Sequence, residues 1–235
     1  MAIKENNIVN LESKTADFDS MMTGGFAVVT VMNVKVYNYA EANFVTKDEA
    51  TGKITKVNSP NEVITKYEEG TELCEIKTLK VANVTMEGPT KTVTGGQYSN
   101  PLIKYGKTAR LEMQDALGNA KVIEAFGGAF IGRTAATSGK ISGLHFSEEF
   151  ASAKTLIGES FFVDKNTGRQ IPVKVIFYQF LPDSLFNLTQ DAEGDATVFD
   201  LNGDLLVSDV TLKAGDKSHT IGLFYSIIDP EETTA

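Results

Sequence analysis

The sequence predicts a mainly β protein, an antiparallel β-sandwich or barrel with one flanking α-helix and a long loop. Three observations carry this. Segments rich in Val, Ile, Phe, Thr and Tyr are separated at short intervals by glycines and by turns that contain both Asp and Gly. Residues 107–114 alternate between apolar and polar more cleanly than any other segment. From residue 155 onward, five strand-like segments follow one another within about seventy residues, the spacing of a sandwich or barrel.

Taken in chain order as one domain over 1–235, the elements have local reasons. Residues 1–25 are polar with few apolar anchors and predict an N-terminal arm that is mobile or ordered only by a neighbour. "FAVVTVMNVKVYNY" at 26–39 is β-branched and aromatic, one strand or two closely spaced ones. Residues 40–66 are polar and little patterned, an extended loop whose central "KDEATGK" (47–53) predicts a hairpin tip. "DKNTGR" at 164–169 predicts a second hairpin tip. In 107–114, Ala109, Leu111 and Met113 fall on one face while Thr108, Arg110, Glu112 and Gln114 fall on the other. Asp115 then stands as a helix cap, and Leu117, Ala120, Val122, Ile123 and Phe126 recur near helical spacing before Gly127 and Gly128, which predicts a helix over about 115–126. A second, short helix is expected near Ser147 to Ala153. The strands after 155 are "TLIGESFFV", "QIPVKVIFYQF", "SLFNLTQ", "ATVFDLNGDLLV" and "HTIGLFYSII", and 229–235 form a polar C-terminal tail.

Composition bounds the function. A formal charge of −9 describes an acidic chain, and its richest apolar stretch, Phe26 to Val36, is too short and too interrupted to cross a bilayer. No basic segment precedes an apolar run at the start, so the expectation is no secretory signal and folding in a reducing cytoplasm. The single cysteine, Cys74, permits no intrachain disulfide and reads as a small core residue.

Chemistry-bearing motifs fail one by one. "GGAFIGRTAATSGK" (127–140) ends in Gly-Lys, but Thr134 and Ile141 stand where a phosphate-binding loop needs Gly and Ser or Thr. "DLNGD" (200–204) could offer alternate oxygens to calcium, yet Leu205 replaces the required glycine and no Glu closes the loop. His145, between Leu144 and Phe146, reads as a partly buried packing residue, and His219 starts a strand; neither lies in a hydrolase or zinc motif. Adjacent carboxylates Glu68 and Glu69, or Glu148 and Glu149, read as surface solvation. No catalytic, cofactor-binding or metal-ligating residue is therefore nominated, and no enzyme is expected. Charge placement says more. Between Lys174 and Lys213 there is no cation, while Asp183, Asp191, Glu193, Asp195, Asp200, Asp204 and Asp209 are all acidic, a window that repels polyanions rather than holding them.

Segment 174–207, "KVIFYQFLPDSLFNLTQDAEGDATVFDLNGDLLV", resembles the C-terminal hairpin of the major tail proteins, the tail tube subunits of tailed bacteriophages. Segment 80–128, "KVANVTMEGPTKTVTGGQYSNPLIKYGKTARLEMQDALGNAKVIEAFGG", is similar to the central region of phage tail structural proteins, and the two together span a little over a third of the chain. The resemblance implies a virion subunit, made in the host cytoplasm, that forms a homo-oligomeric ring, hexameric by expectation. Rings stack into a tube that meets other tail proteins and conducts genomic DNA without binding it specifically; no cofactor and no membrane are implied. On this reading the polar residues opposite Phe186, Leu188, Phe199 and Leu201, namely Asn187, Thr189, Asp200, Asn202 and Asp204, face the lumen. Either the 40–66 loop, through Phe44, Lys47, Asp48 and Lys53, or the Gly-rich segment 127–140 would be the arm that reaches the adjacent ring. Competing readings are another virion structural protein, in capsid decoration or a baseplate, and a β-sandwich module for a sugar or small ligand, which the lack of Trp disfavours.

Overall fold

The structure, a computed structural model, describes residues 18, 22, 26–77, 79–88, 90–92, 102–104, 106–115, 119–134, 140–164, 170–183 and 199–229. In chain order the first strands are β1 (Phe26–Asn38), β2 (Val45–Lys47), β3 (Ile54–Val57), β4 (Cys74–Ile76), β5 (Leu79–Glu87), β6 (Thr90–Thr92), β7 (Leu102–Lys104) and β8 (Thr108–Asp115). There follow β9 (Ala129–Arg133), β10 (Ile141–Phe146), β11 (Lys154–Asp164), β12 (Gln170–Pro182), β13 (Phe199–Leu206), β14 (Ser208–Ala214), β15 (Lys217–Leu223) and β16 (Tyr225–Ile228). Helix α1 covers Pro60–Glu68 and helix α2 Ala120–Gly127. The fold is mainly β and antiparallel, with a sandwich-like layering, as predicted.

Eight strands form one sheet in the order β4-β1-β11-β12-β13-β8-β5, with β16 pairing the middle of β12, Lys174 to Phe177, while β13 pairs its end. Strands β4 and β5 occupy opposite edges of that order, yet only Lys77 and Thr78 separate them in sequence. Three residue steps reach about 10 Å, so the two edges must approach one another at this corner. The sheet curls into an open barrel, with no backbone pairing across the seam among the described residues.

The concave side of the curl holds the main core. Val34 and Val36 of β1, Ala109, Leu111 and Met113 of β8, Phe177 and Phe180 of β12, and Leu201 and Leu205 of β13 all meet there. Helix α2 closes it with Val122, Ala125 and Phe126, the last packing edge-on against Phe180 at 5.8 Å between ring centroids. On the convex side, α1 lays Val63, Ile64 and Tyr67 over Tyr37, Ile157, Ile176 and Tyr178. Strands β11 and β12 are thus covered on both faces, which is why they read as nearly continuous apolar runs. Burial pushes the Tyr178 phenol up to about 12, and its hydroxyl donates to Ser226 Oγ at 2.7 Å.

The extended loop expected over 40–66 is instead ordered, by β2 and β3 in its middle and by helix α1 at its end. Ser59 caps it: its hydroxyl accepts from Glu62 N while the Glu62 carboxylate reaches back to Ser59 N at 2.7 Å, a complete capping box with Pro60 in the first turn. Burial alone would raise the Glu62 carboxyl, but hydrogen bonds from Lys56 and Ser59 outweigh it and hold it at about 2. Buried Asn58 ties the insertion down: its amide donates to Asn43 O at 2.9 Å, its Oδ1 accepts from Thr46, its N–H donates to Phe44 O, and its carbonyl accepts from Thr211 N. Before it, β2 and β3 form the predicted hairpin, with Gly52 at φ 65 in the turn.

Other expectations shift in detail. Residues 26–38 form one strand, with an irregularity between Val29 and Asn33. Asp115 is the last residue of β8, not a helix cap; α2 starts later, with Asn119 accepting from Lys121 N at 3.0 Å. It stops at Gly128, which adopts φ 63 and lies so near the chain that a Cβ would sit 2.3 Å from Glu149 O. No helix forms at Ser147 to Ala153. Ser147 instead donates to Gly128 O and accepts from Glu149 N, an arrangement that pins an extended segment beside Gly128. Strands β11 and β12 pair as an antiparallel hairpin, while the turn expected at 164–169 falls outside the described residues after Asp164, as does most of the 1–25 arm. Within that arm Phe18 stacks on buried Phe162, so the chain anchors it internally at this point.

Candidate functional site

Strands β5, β8 and β13 carry the one broad polar sheet face among the described residues. Their inward residues are core, and strict alternation puts the intervening side chains on the convex surface, where neither helix covers them. Register aligns these into rows: Asn83, Glu112 and Asn202 in one, Thr85, Arg110 and Asp204 in the next, with Gln114 beside Asp200 and Glu87 beside Thr108. Gln114 Nε2 donates to Asp200 Oδ1 at 3.0 Å.

Arg110 is the hub. Its guanidinium engages Asp183 through both terminal nitrogens, reaches Asp204 Oδ1 at 3.3 Å and has Glu112 at 3.8 Å from Nε. Hydrogen bonding to Asp183 raises the already high Arg110 value further, with the Asp183 and Asp204 charges contributing. The cation is thus surrounded by carboxylates. With Glu87 and Asp200 the face bears five acids around one satisfied guanidinium, and so presents net negative charge.

Two features place Asp183 here. Its N–H donates to Asn202 O at 2.9 Å, which fixes the chain as it leaves β12. Gly203 lets β12 and β13 approach: a Cβ there would stand 2.3 Å from Leu181 O and 2.6 Å from the Phe180 ring. The glycine of "DLNGD" is therefore a close-packing position inside a strand, and the flanking Asp200 and Asp204 serve the polar face, not a calcium loop.

Of the predicted lumen residues, Asp200, Asn202 and Asp204 come together on this face; Asn187 and Thr189 lie outside the described residues. The inter-ring set divides. Phe44 is only 3% exposed and packs its ring against Tyr39, Tyr67 and Tyr178, so it is a core residue and not a surface contact. Lys47, Asp48 and Lys53 are exposed at the β2–β3 tip. Asp48 builds that tip by accepting from Ala50 N and Thr51 N at 2.9 Å each, bonds that lower its pKa.

The sequence reading missed Arg110 as an organising residue and Asp183 as its partner. Alternation marked Arg110 as outward, but nothing local announces that a carboxylate 73 residues away returns to it. His145, expected to be partly buried, is exposed, its ring lying over Gly132 and Gly143. His219 lies exposed within β15 and Cys74 is buried.

Chemically this face suits contact with a large surface more than capture of a small molecule. The shallow cleft lined by Thr85, Glu87, Thr108, Arg110, Glu112 and Asp204 is about 260 Å³, smaller than usual ligand pockets of roughly 300–1,000 Å³. Among the described residues, no group of three His, Cys, Asp or Glu side chains could hold a metal ion, and no helix is long and apolar enough to cross a membrane. No protein-family model matches the chain, and no curated protein matches it.

Proposed function

We propose that the chain is a structural subunit of a bacteriophage tail tube, assembling with copies of itself into stacked rings whose bore is lined by the β5–β8–β13 face and conducts DNA. The observation that carries this reading is the acidic face itself. A polyanion adheres where cations neutralise its phosphates, and here the single guanidinium already has three carboxylates around it. Passing DNA would meet repulsion without a sticking point. Support also comes from where the tail-like segments fall: 80–128 supplies β5 and β8, 174–207 supplies β13 and most of β12, and these strands are sheet neighbours.

Assembly would also employ backbone left unpaired in one copy, because β5 pairs only with β8 and β16 only with β12 among the described strands. The test is the size of the purified full-length chain followed by negative-stain imaging. Rings or tubes with a central bore are expected. Monodisperse monomers that stay so with a tail initiator complex would refute the proposal, and a particle decorating capsids instead would favour a different virion role.

A further inference from the structure

The chain separates its charges in sequence. From residue 125 to 147 there is no Asp or Glu, and Arg133, Lys140 and His145 are the ionisable side chains; from 175 to 212 there is no Lys or Arg. Each stretch contributes an exposed apolar patch.

The first patch is the two-stranded ribbon β9–β10, which stands apart from the main sheet. Phe130 is 52% exposed, Phe146 59% and, at the base of the ribbon, Phe150 85%; Ile141 is also exposed. The segment around Phe150 lies against the ribbon's start, since Glu149 O and Ala151 N crowd Gly128. In the ribbon's register Phe130 stands opposite His145 and Phe146 opposite Ala129, so the two rings project from opposite faces; at about 200 Å² for a whole aromatic side chain each shows roughly 100 Å², and Phe150 adds roughly 170 Å² at the base. Two-stranded ribbons are marginal in water unless something packs on them. Lys140, at the start of β10, makes no ion pair among the described residues.

The second patch lies at the rim of the acidic face. Leu181 and Leu206 are exposed diagonal neighbours across β12 and β13, and exposed Val207 follows. Gly222 makes room for it: a Cβ there would sit 2.4 Å from Val207 Cγ1 and 3.5 Å from Asp209 Oδ1. Asp209 is exposed beside this patch and has no cationic partner among the described residues. One patch is thus apolar with a cationic border and the other apolar with an anionic border.

We propose that the β9–β10 ribbon of one copy docks on the Leu181, Leu206 and Val207 patch of a second copy, with Lys140 set against Asp209. Because donor and acceptor patches differ, the contact is head-to-tail, the type that closes into rings. It rests on the self-assembly reading for the identity of its partner and adds the surfaces that meet. A phospholipid surface is the other occupant a cationic aromatic ribbon could find, but a chain of net charge −9 would be repelled from an anionic bilayer.

The test is sedimentation of the full-length chain. Phe130→Ser with Phe150→Ser, at exposed sites that leave the far-UV spectrum native, should abolish or greatly weaken association. Lys140→Asp and Asp209→Lys should each raise the dissociation constant several-fold, and the double variant should recover most of the loss, because the pair is restored with its signs exchanged. Association, rings or tubes unaffected by the phenylalanine changes would overturn this contact while leaving the tube reading intact. Failure of the double variant to recover would overturn it too, as would ribbon-dependent flotation of the wild type with phosphatidylserine vesicles. A wild-type chain that is monomeric at every concentration would overturn the self-assembly reading itself.

Discussion

Replacing Gly203 by alanine should loosen the acidic face more than any change to its charged residues. The added methyl would meet Leu181 O at 2.3 Å and the Phe180 ring at 2.6–2.7 Å. Neither can step aside: the first is backbone of a paired strand, and the second is fully buried and held by Phe126. Strand β13 must therefore move off β12, straining the pairs Leu181↔Asp204 and Pro182↔Gly203 and the Asp183 to Asn202 bond. Overpacking of this kind costs roughly 1–3 kcal/mol and each weakened hydrogen bond about 1 more, so about 3 kcal/mol is expected. For a chain of this size that is a fall in Tm of about 6–12 °C. Denaturant melts of Gly203→Ala beside Gly106→Ala, where no atom lies within 4 Å of the new Cβ, isolate the contact from the loss of glycine. Stability within about 0.5 kcal/mol of wild type, the scale of an ordinary surface substitution, would show that the approach of β12 and β13 is not what orders this face.

Three further outcomes follow from buried or capping groups. Lys154 is 5% exposed, its ammonium donating to Asn38 Oδ1 at 3.0 Å and Ser152 Oγ at 2.7 Å, and burial lowers its pKa from 10.5. The unfolded chain then binds more protons between the folded value and 10.5, so stability should rise with pH through that window, by at most about 1.4 kcal/mol per pH unit; Lys154→Met should flatten this slope in melts at several pH values. Glu62→Gln keeps an acceptor for Ser59 N but removes the charge, and should cost up to about 1 kcal/mol at neutral pH through the lost Lys56 pair and the weaker, no longer charge-assisted bonds at the helix start. Because the folded Glu62 carboxyl is held at about 2, the wild type should lose that increment as pH falls from 4.5 toward 2, and acid titrations of the two proteins should converge. Phe44→Ala should cost roughly 3–5 kcal/mol as a buried aromatic truncation, whereas Lys47→Ala at the hairpin tip should leave the melting curve unchanged.

What was legible in the sequence was local and periodic. Strand β8 could be read because Ala109, Leu111 and Met113 alternate with four polar residues, and only a half-covered strand needs that pattern. The β2–β3 tip was legible from its Asp and Gly for the same kind of reason. Helix α1 was readable yet overlooked: Ser59, Pro60 and Glu62 spell a capping box, and Val63, Ile64 and Tyr67 supply a narrow apolar stripe, but mean polarity over 40–66 masked both. Phe44 was misplaced with it, since its burial depends on α1 lying above. At the start of α2, Asp115 fitted a cap by residue type, but pairing with Phe199 and Leu79 holds it in the sheet. The acidic face was legible as a charge bias and as the alternation of Asp200, Asn202 and Asp204. Its assembly was not, because the pairing of β13 with β8 joins residues 86 apart, such as Gln114 and Asp200, and depends on a glycine whose reason is a distant carbonyl.

The central claim, that self-assembled copies turn this face toward a common bore, is tested most directly by a cryo-EM reconstruction of whatever the purified full-length chain forms. The expected map is a hollow stack of rings with Asp200, Asn202 and Asp204 on the inner wall. A map with those residues on the outer surface, or an inner wall dominated by lysine and arginine, would contradict it.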